Sequence, residues 1–251
     1  MVRITTRKII MEIKRFFVEP EDIVDKIITI KGEEFYHLTT VLRHKIGYKI
    51  VVCCSDDYDY NATITDIQKD YAIAKIDSRI PNCCKPKTKI NLYQAVIKNT
   101  KLDIVIQKAI ELGVNSITLF FSKNTNETNV NIERLNKIAK EASKQCGRAD
   151  LVKIKGVLTF EEMLEDIKNY SNIVIPYEYE EKNNFNSIKV EQNGEYALII
   201  GSEGGFDSLE VEKVKELGGH SVTLGNRILR AETASIVATS LLMFKLGEFN
   251  K

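Results

Sequence analysis

No stretch of this sequence is an unbroken apolar run of the roughly 20 residues that a membrane-spanning helix needs, although 43% of its 251 residues are hydrophobic. The first ten residues, MVRITTRKII, alternate basic and apolar side chains, so we expect no secretory signal peptide. The sequence contains five cysteines, an odd number. Four of them form two adjacent pairs, Cys53-Cys54 and Cys83-Cys84, and none has the C-x-x-C spacing. This set favours neither a disulfide framework nor a metal site. We therefore expect a cytoplasmic protein with reduced thiols, no metal and no membrane partner.

Charge is nearly balanced, with 36 Lys and Arg against 35 Asp and Glu, and the net value of +1 says little about partners. Its distribution is uneven, because residues 85–101 contain five lysines and no acidic residue, and residues 1–15 and 144–155 are also mostly basic. Runs of charge are usually solvated faces. Charge alone therefore leaves a nucleic-acid surface and a solvated surface as equal alternatives.

The secondary-structure pattern of the sequence changes between Pro81 and Pro86. Before this point, β-rich runs occupy residues 48–54, 60–67 and 71–80, and three residues between the last two suit a hairpin. These runs predict a small, mostly antiparallel barrel. One helix is predicted over residues 33–45, with Phe35, Leu38, Val41 and Leu42 on one face.

After Pro86 the pattern alternates between strand and helix. Strands are predicted at residues 90–97, 116–121, 172–177, 196–201 and 220–225, and helices at 101–113, 131–147, 159–170, 207–217 and 231–247. Capping boxes open two of the helices, at Thr159 with Glu162 and at Asp207 with Glu210. Such alternation is typical of a parallel sheet covered on both faces. We predict an α/β protein with two domains, residues 1–84 and 85–251.

A glycine-rich turn follows one of these strands, in the segment IIGSEGGF at residues 199–206. The turn has neither the lysine of a P-loop nor the spacing of a dinucleotide fingerprint, and Glu203 would repel a phosphate. A second turn, LGNRILRAETA at residues 224–234, places Gly225 after another strand and Arg230 at the start of the last helix. Parallel sheets bind ligands outside the carboxyl ends of their strands. These two turns, together with the segment IPYEYEE at residues 175–181 after another strand, therefore predict one pocket. The alternative is ordinary strand exits whose glycines supply positive φ angles.

These two segments together resemble the signature of the SPOUT methyltransferases, specifically the RsmE family, whose members methylate N3 of a uridine in 16S ribosomal RNA with S-adenosylmethionine. Residues 14–19, 37–50, 107–114 and 141–148 also resemble family stretches in the expected order, so the likeness covers nearly the whole chain from Lys14 onward. Because the family usually opens near RFFV, we expect Met11 as the native start and residues 1–10 as an extension.

The sequence departs from the family pattern at three places. Ser202 and Asn226 stand where the family usually has proline, and an expected arginine-serine pair is missing after residues 116–121. Loss of a proline removes a fixed φ, so we expect both turns to be looser. The missing pair puts one RNA contact in doubt.

The resemblance implies a PUA-like N-terminal β-barrel that binds RNA and a C-terminal SPOUT α/β domain with a deep trefoil knot. It also implies a homodimer formed through the knotted domain, with 16S ribosomal RNA as the partner. S-adenosylmethionine would lie in the knot against three loops. The implied cofactor-binding residues are Pro176, Tyr177, Ile200, Gly201, Gly204, Gly205, Leu224, Gly225, Ile228, Leu229, Thr233 and Ala234.

Three residues are the candidate catalytic groups. Arg230 would stabilise negative charge on the uracil oxygens, since its guanidinium stays charged, and the alternative is an ion pair with Glu203 or Glu232. Those two carboxylates are the candidate proton acceptors, or else they bind backbone amides at a turn or helix start. The implied RNA contacts are Arg15, His37, Arg43, Lys98, Arg148 and Arg227. Each of the first five could instead be a solvated surface residue, and His37 could pack on the barrel. Arg227 could instead serve the cofactor loop.

Two other functions remain open at this stage. One is another SPOUT enzyme, acting on a transfer RNA or on a ribose 2′-oxygen. The other is a non-catalytic RNA-binding or ribosome-assembly protein that keeps the fold. Intact Glu203, Arg230 and Glu232 favour an enzyme.

Overall fold

The structure, a computed structural model, describes residues 13–191 and 194–250 and contains two compact units. Among the described residues, 13–85 and 143–151 form the first unit, and the others form the second. The sequence placed residues 143–151 in the C-terminal domain, whereas in the structure they belong with the first unit. The boundary between residues 84 and 85 stays a prediction about domains that fold on their own.

The first unit is built on one six-stranded sheet. Its strands are β1 (Arg15–Phe17), β2 (Ile23–Val24), β3 (Ile27–Lys31), β4 (Lys49–Cys53), β5 (Tyr58–Ile67) and β6 (Tyr71–Pro81), in the order β1-β4-β5-β6-β3-β2. Every pair is antiparallel except β1 with β4. The predicted hairpin across residues 68–70 is confirmed. The strands β1 to β3 were not predicted because runs of two to five residues carry little periodicity.

The helix predicted over residues 33–45 is shorter in the structure. Helix α1 (Gly32–Tyr36) continues as a π-helix (His37–Val41), and Arg43, with φ 53°, follows it in the left-handed region. The wider π turn shifts the phase of the helix. Leu38 is fully buried, but Val41, predicted on the same face, is 57% exposed.

The second unit contains a six-stranded sheet in which every pair is parallel. Its strands are β7 (Lys89–Ala95), β8 (Ser116–Phe120), β9 (Lys153–Leu158), β10 (Asn172–Pro176), β11 (Glu195–Ile200) and β12 (His220–Val222), in the order β12-β10-β11-β7-β8-β9. The helices are α2 (Asn99–Leu112), α3 (Ile132–Cys146), α4 (Phe160–Ile167), α5 (Ser208–Glu216) and α6 (Ala231–Lys245). The predicted α/β class and parallel sheet are confirmed.

Local sequence signals set the ends of these helices. Both capping boxes form, with Thr159 and Glu162 at the start of α4 and Asp207 and Glu210 at the start of α5. Gly113 ends α2 in the left-handed region at φ 103°, where a Cβ would lie only 2.6 Å from a side-chain atom of Pro86. Within the residues that the structure describes, no helix combines the length and apolarity needed to cross a membrane.

Candidate active site

Three loops meet where neighbouring parallel strands end. Strand β10 lies between β11 and β12, so the segments that follow these three strands leave the same edge of the sheet. They enclose a cavity of about 630 Å³. Of the residues predicted to bind a cofactor, all but Thr233 line this cavity: Pro176, Tyr177, Ile200, Gly201, Gly204, Gly205, Leu224, Gly225, Ile228, Leu229 and Ala234. Thr233 is exposed on the first turn of α6.

The glycines of the 201–205 turn each lie close to another part of the protein. A Cβ on Gly201 would lie 3.2 Å from the ring of Phe206, and one on Gly204 would lie 2.7 Å from Cβ of Asn124. Gly205 has a φ of 66°, and a Cβ there would overlap a carboxylate oxygen of Glu178. The sequence left two explanations open for these glycines, a ligand pocket or ordinary strand exits that need positive φ angles. The structure adds a protein contact at each of them.

Ser202 anchors the same turn. Its buried hydroxyl donates a hydrogen bond to the backbone oxygen of Asn124 at 3.0 Å, and the Asn124 side chain donates to the Gly204 oxygen at 3.1 Å. Proline has no side-chain donor and could not make the first of these bonds. A hydrogen bond thus holds the turn where the family usually has proline, and the expectation that the turn is looser stays a prediction.

Lys101 lies between the two candidate proton acceptors. Its Nζ is 3.4 Å from Oε1 of Glu203 and 3.7 Å from Oε2 of Glu232. The sequence proposed Arg230 as the alternative ion-pair partner of these carboxylates, but the ammonium that reaches both comes from α2. Sequence reasoning missed Lys101 because it lies 102 positions from Glu203 and 131 positions from Glu232. Its only local signal was its place in the lysine-rich segment 85–101.

The two carboxylates differ in their surroundings. Burial tends to raise the pKa of Glu203, but the Lys98 backbone N–H, which donates to Oε1 at 3.2 Å, and the Lys101 ammonium outweigh it and lower that pKa. Glu203 thus binds a backbone amide at the start of α2, as the alternative reading proposed. In Glu232, Oε2 is buried and accepts no hydrogen bond from the described residues. Of these two carboxylates, Glu232 is therefore the one that holds a buried oxygen without a hydrogen-bond donor among the described residues.

Arg230 and Arg227 are both exposed, and neither side chain forms an ion pair or hydrogen bond with any residue that the structure describes. Arg230 lies at the N-cap position of α6, where its backbone oxygen accepts from Ala234 N–H at 2.8 Å. A charged guanidinium without a protein partner is available to an external anion.

Two of the predicted RNA contacts are buried instead. Arg15 is 8% exposed and donates to both carboxylate oxygens of Asp59, at 2.5 and 3.0 Å. Arg148 is 2% exposed and pairs in the same two-pronged way with Asp150, at 3.0 and 2.6 Å. Sequence reasoning gave both arginines to the surface because Asp59 is 44 positions from Arg15, and because the neighbouring Asp150 does not by itself show that Arg148 is buried. Buried, paired guanidinium groups do not present charge to RNA, so we leave both out of the contacts proposed below.

The remaining predicted RNA contacts are more accessible. His37 is half-buried, with its ring centroid 6.0 Å from that of Phe16, which is the packing role given above as its alternative. Arg43 and Lys98 are exposed. Among the described residues, no group of histidine, cysteine and acidic side chains could hold a metal ion.

We expect Arg15→Met to lower the free energy of unfolding by about 3–5 kcal/mol, because it leaves the buried Asp59 carboxylate without its charge partner. The control is Lys85→Met, which breaks the more exposed Lys85–Asp57 pair and should cost at most about 1 kcal/mol. Urea denaturation followed by circular dichroism measures both. If the Arg15 variant kept its stability but bound RNA more weakly, Arg15 would be an RNA contact after all.

Comparison with known proteins relates each of the two units to a protein family. The sequence model of the RNA methyltransferase domain family matches residues 84–243, and that of the RNA methyltransferase PUA domain matches residues 30–77. The first unit therefore contains a PUA domain in an α/β protein. A solved Legionella pneumophila methyltransferase, in complex with the bound cofactor SAM, is similar at 26% identity with a TM-score of 0.85, over 93% of this chain and 98% of that one.

Two curated relatives carry the name ribosomal RNA small subunit methyltransferase E. That of Mesomycoplasma hyopneumoniae is 38% identical, over 82% of this chain and 92% of its own length. That of Buchnera aphidicola subsp. Acyrthosiphon pisum is 32% identical, over 95% of this chain and 96% of its own length. The family predicted from the glycine turn and the segment at residues 224–234 is thereby confirmed. The chain belongs to the ribosomal RNA small subunit methyltransferase E family.

Proposed function

We propose that this chain transfers a methyl group from S-adenosylmethionine to N3 of a uridine in the 16S RNA of the small ribosomal subunit. Membership of the family makes the chain an RNA methyltransferase. The observation that carries the proposal is the cavity at the ends of β10, β11 and β12. Glu203 lines this cavity and is joined through Lys101 to Glu232, so a cofactor pocket and a pair of carboxylates adjoin.

The cavity suits an adenosyl group in size and chemistry. Its volume of about 630 Å³ falls in the range of small-molecule sites. Its lining combines apolar side chains such as Ile200, Phe206 and Leu229 with the backbone of two glycine turns, and it contains no lysine. Backbone groups of residues 201–205 and 224–229 would hold the cofactor. When bound, S-adenosylmethionine supplies a methyl group on a positively charged sulfur, and the Legionella protein, which has a similar fold, binds it.

The acceptor nitrogen carries a proton, which the protein must remove. Glu232 accepts this proton in the proposed mechanism, because its buried Oε2 accepts no hydrogen bond from any of the described residues. Arg230 stabilises the negative charge that develops on the uracil oxygens. A paired uridine must first leave its helix, because N3 is engaged in base pairing.

RNA binding in this proposal uses exposed or partly exposed groups on both units. These are His37 and Arg43 in the first unit and Lys98 and Arg227 in the second. They contact the RNA backbone, so affinity falls steeply as salt rises.

The finer fold belongs to the same proposal. The described residues up to 84 form a PUA-like barrel, and those from 85 onward form a SPOUT domain with a deep trefoil knot, which mediates a homodimer. The extension predicted at residues 1–10 lies outside the described residues. The family matches at residues 30–77 and 84–243 support this division. Leu241 and Phe244 on α6 are 38% and 66% exposed, which supports an interface on that helix. Within this proposal, the protein works in the cytoplasm.

Transfer of labelled methyl from S-adenosylmethionine to small ribosomal subunits tests the function, with the product nucleoside identified by chromatography. The expected product is 3-methyluridine in 16S RNA. A 2′-O-methylated nucleoside would be consistent with a methyltransferase of this fold, but it would exclude N3 of uridine as the methylated atom. No label on subunits, free 16S RNA or transfer RNA, despite measurable cofactor binding, would instead support the non-catalytic RNA-binding protein.

We expect Gly204→Ala to weaken S-adenosylmethionine binding and to lower stability by about 1–3 kcal/mol. The added methyl group would lie 2.7 Å from Cβ and 3.2 Å from the backbone oxygen of Asn124, so the turn must move away from the 122–131 segment. Calorimetric titration and thermal denaturation measure the two effects. Gly156→Ala is the matched control, because its Cβ meets nothing within 4 Å. Equal affinities in the two variants would show that the turn does not shape the cofactor site.

A further inference from the structure

The proposed cofactor pocket is acidic. The charged side chains in its lining are four carboxylates and one guanidinium: Glu178, Glu180, Glu181, Glu203 and Arg227. A neutral adenosine would gain nothing from such a lining, whereas a cationic ligand would be attracted to it. The positions of the four carboxylates decide which of them can meet a ligand.

Two of the four carboxylates already bind hydrogen-bond donors or a cation within the protein. Glu180 accepts hydrogen bonds from Ser221 Oγ and from the backbone N–H groups of Lys182 and Asn183, and these bonds lower its pKa to about 2 against the opposing effect of burial. Glu203 binds the Lys98 N–H and the Lys101 ammonium. Both are ionised at neutral pH, but their oxygens are committed to donors in the protein.

Glu178 differs from Glu180 and Glu203 in its lack of protein partners and in its position on the glycine turn. It makes no hydrogen bond or ion pair with any residue in the described part of the chain. Its Oε1 occupies the space that a Cβ on Gly205 would fill, so the carboxylate lies directly on the glycine turn. Glu181 is also unpaired among the described residues, but it has no such contact with the turn.

We propose that Glu178 recognises the positive charge of the methyl donor and makes the pocket prefer S-adenosylmethionine to its demethylated product. This inference rests on the proposed function, because it takes S-adenosylmethionine as the cofactor. Loss of the methyl group leaves the C–S bonding pair on sulfur and converts the sulfonium into a neutral thioether. The attraction to Glu178 then disappears, which favours exchange of the product for fresh cofactor.

Calorimetric titration of the full-length protein with three ligands tests the inference. S-adenosylmethionine carries a sulfonium, sinefungin carries an ammonium at the same place, and S-adenosylhomocysteine is uncharged there. In Glu178→Gln we expect the first two to bind about 5–10-fold more weakly and the third to change less than about 2-fold. Glu216→Gln, an exposed residue outside the pocket lining, is the control for net charge and should change none of the affinities.

Other outcomes overturn the inference in distinguishable ways. Equal weakening of all three ligands would mean that Glu178 binds a group they share, such as the ribose or the adenine. No change in any affinity would mean that it binds none of them. Failure of the wild type to bind any of the three would overturn the proposed function, and this inference with it.

Salt dependence gives a second measurement that does not depend on a variant. The preference of the wild type for S-adenosylmethionine over S-adenosylhomocysteine should shrink as potassium chloride rises from about 50 mM to about 0.5 M, because added ions screen the exposed carboxylate. A preference that does not change with salt would contradict recognition by charge.

Discussion

Arg230→Ala is expected to lower the rate of methyl transfer by about 10²–10³-fold, the usual cost of removing one donor that stabilises developing negative charge. The alternative role of Arg230, an ion pair with Glu203 or Glu232, does not occur in the structure, since Lys101 pairs with both carboxylates. Arg230 is exposed, and its guanidinium has no hydrogen-bond or ion-pair partner among the described residues. Its removal should therefore leave stability within about 0.5 kcal/mol of the wild type.

Single-turnover methyl transfer to small ribosomal subunits measures this effect, with binding of S-adenosylmethionine followed in parallel. Arg230→Lys keeps the charge but loses the planar fork, so it should recover only part of the rate. Arg227→Ala is the matched comparison, an exposed arginine that lines the cofactor cavity three residues earlier. It should weaken RNA binding more than it slows the transfer step. A normal transfer rate in Arg230→Ala, with weakened RNA binding, would make this residue an RNA contact.

Local signals were sufficient to predict much of the second unit. The capping boxes at Thr159 and Asp207 and the terminating Gly113 form as predicted, because each depends on residues within one helical turn. The convergence of the loops after β10, β11 and β12 could also be predicted from the sequence, because parallel strands expose their carboxyl ends at one edge of the sheet. Strand β9 was missed because its alternation of lysine and apolar residues is short and only partly buried.

What the sequence could not supply was pairing between distant residues. Arg15 and Asp59 are 44 positions apart, and Lys101 and Glu203 are 102 apart. An arginine in a basic stretch looks like a surface residue until its carboxylate partner is known. The burial of Arg15 and the bridging position of Lys101 are therefore products of the tertiary fold. The same holds for Ser202, whose anchor is a backbone oxygen 78 residues away.

Glu232→Gln is expected to lower the rate of methyl transfer by about 10²–10⁴-fold, the range for loss of a general base. Glutamine keeps the size of the side chain and cannot take up the N3 proton. Glu203→Gln should have a smaller effect, because the donors around Glu203 hold its pKa low and make it the weaker proton acceptor. A pair of isosteric variants thus separates two carboxylates that the sequence left equivalent.

Lys101 provides the decisive control for this assignment. Lys101→Met removes the ammonium from both carboxylates, so it should slow transfer through loss of positioning while S-adenosylmethionine still binds, and Lys101→Arg should restore part of the rate. A larger loss in Glu203→Gln than in Glu232→Gln would exchange the two roles. Full activity in Glu232→Gln would show that the carboxylate only stabilises the first turn of α6, where its charge favours the helix dipole. The buried Oε2 without a hydrogen-bond donor argues against that outcome, because a structural carboxylate ordinarily satisfies its buried oxygens.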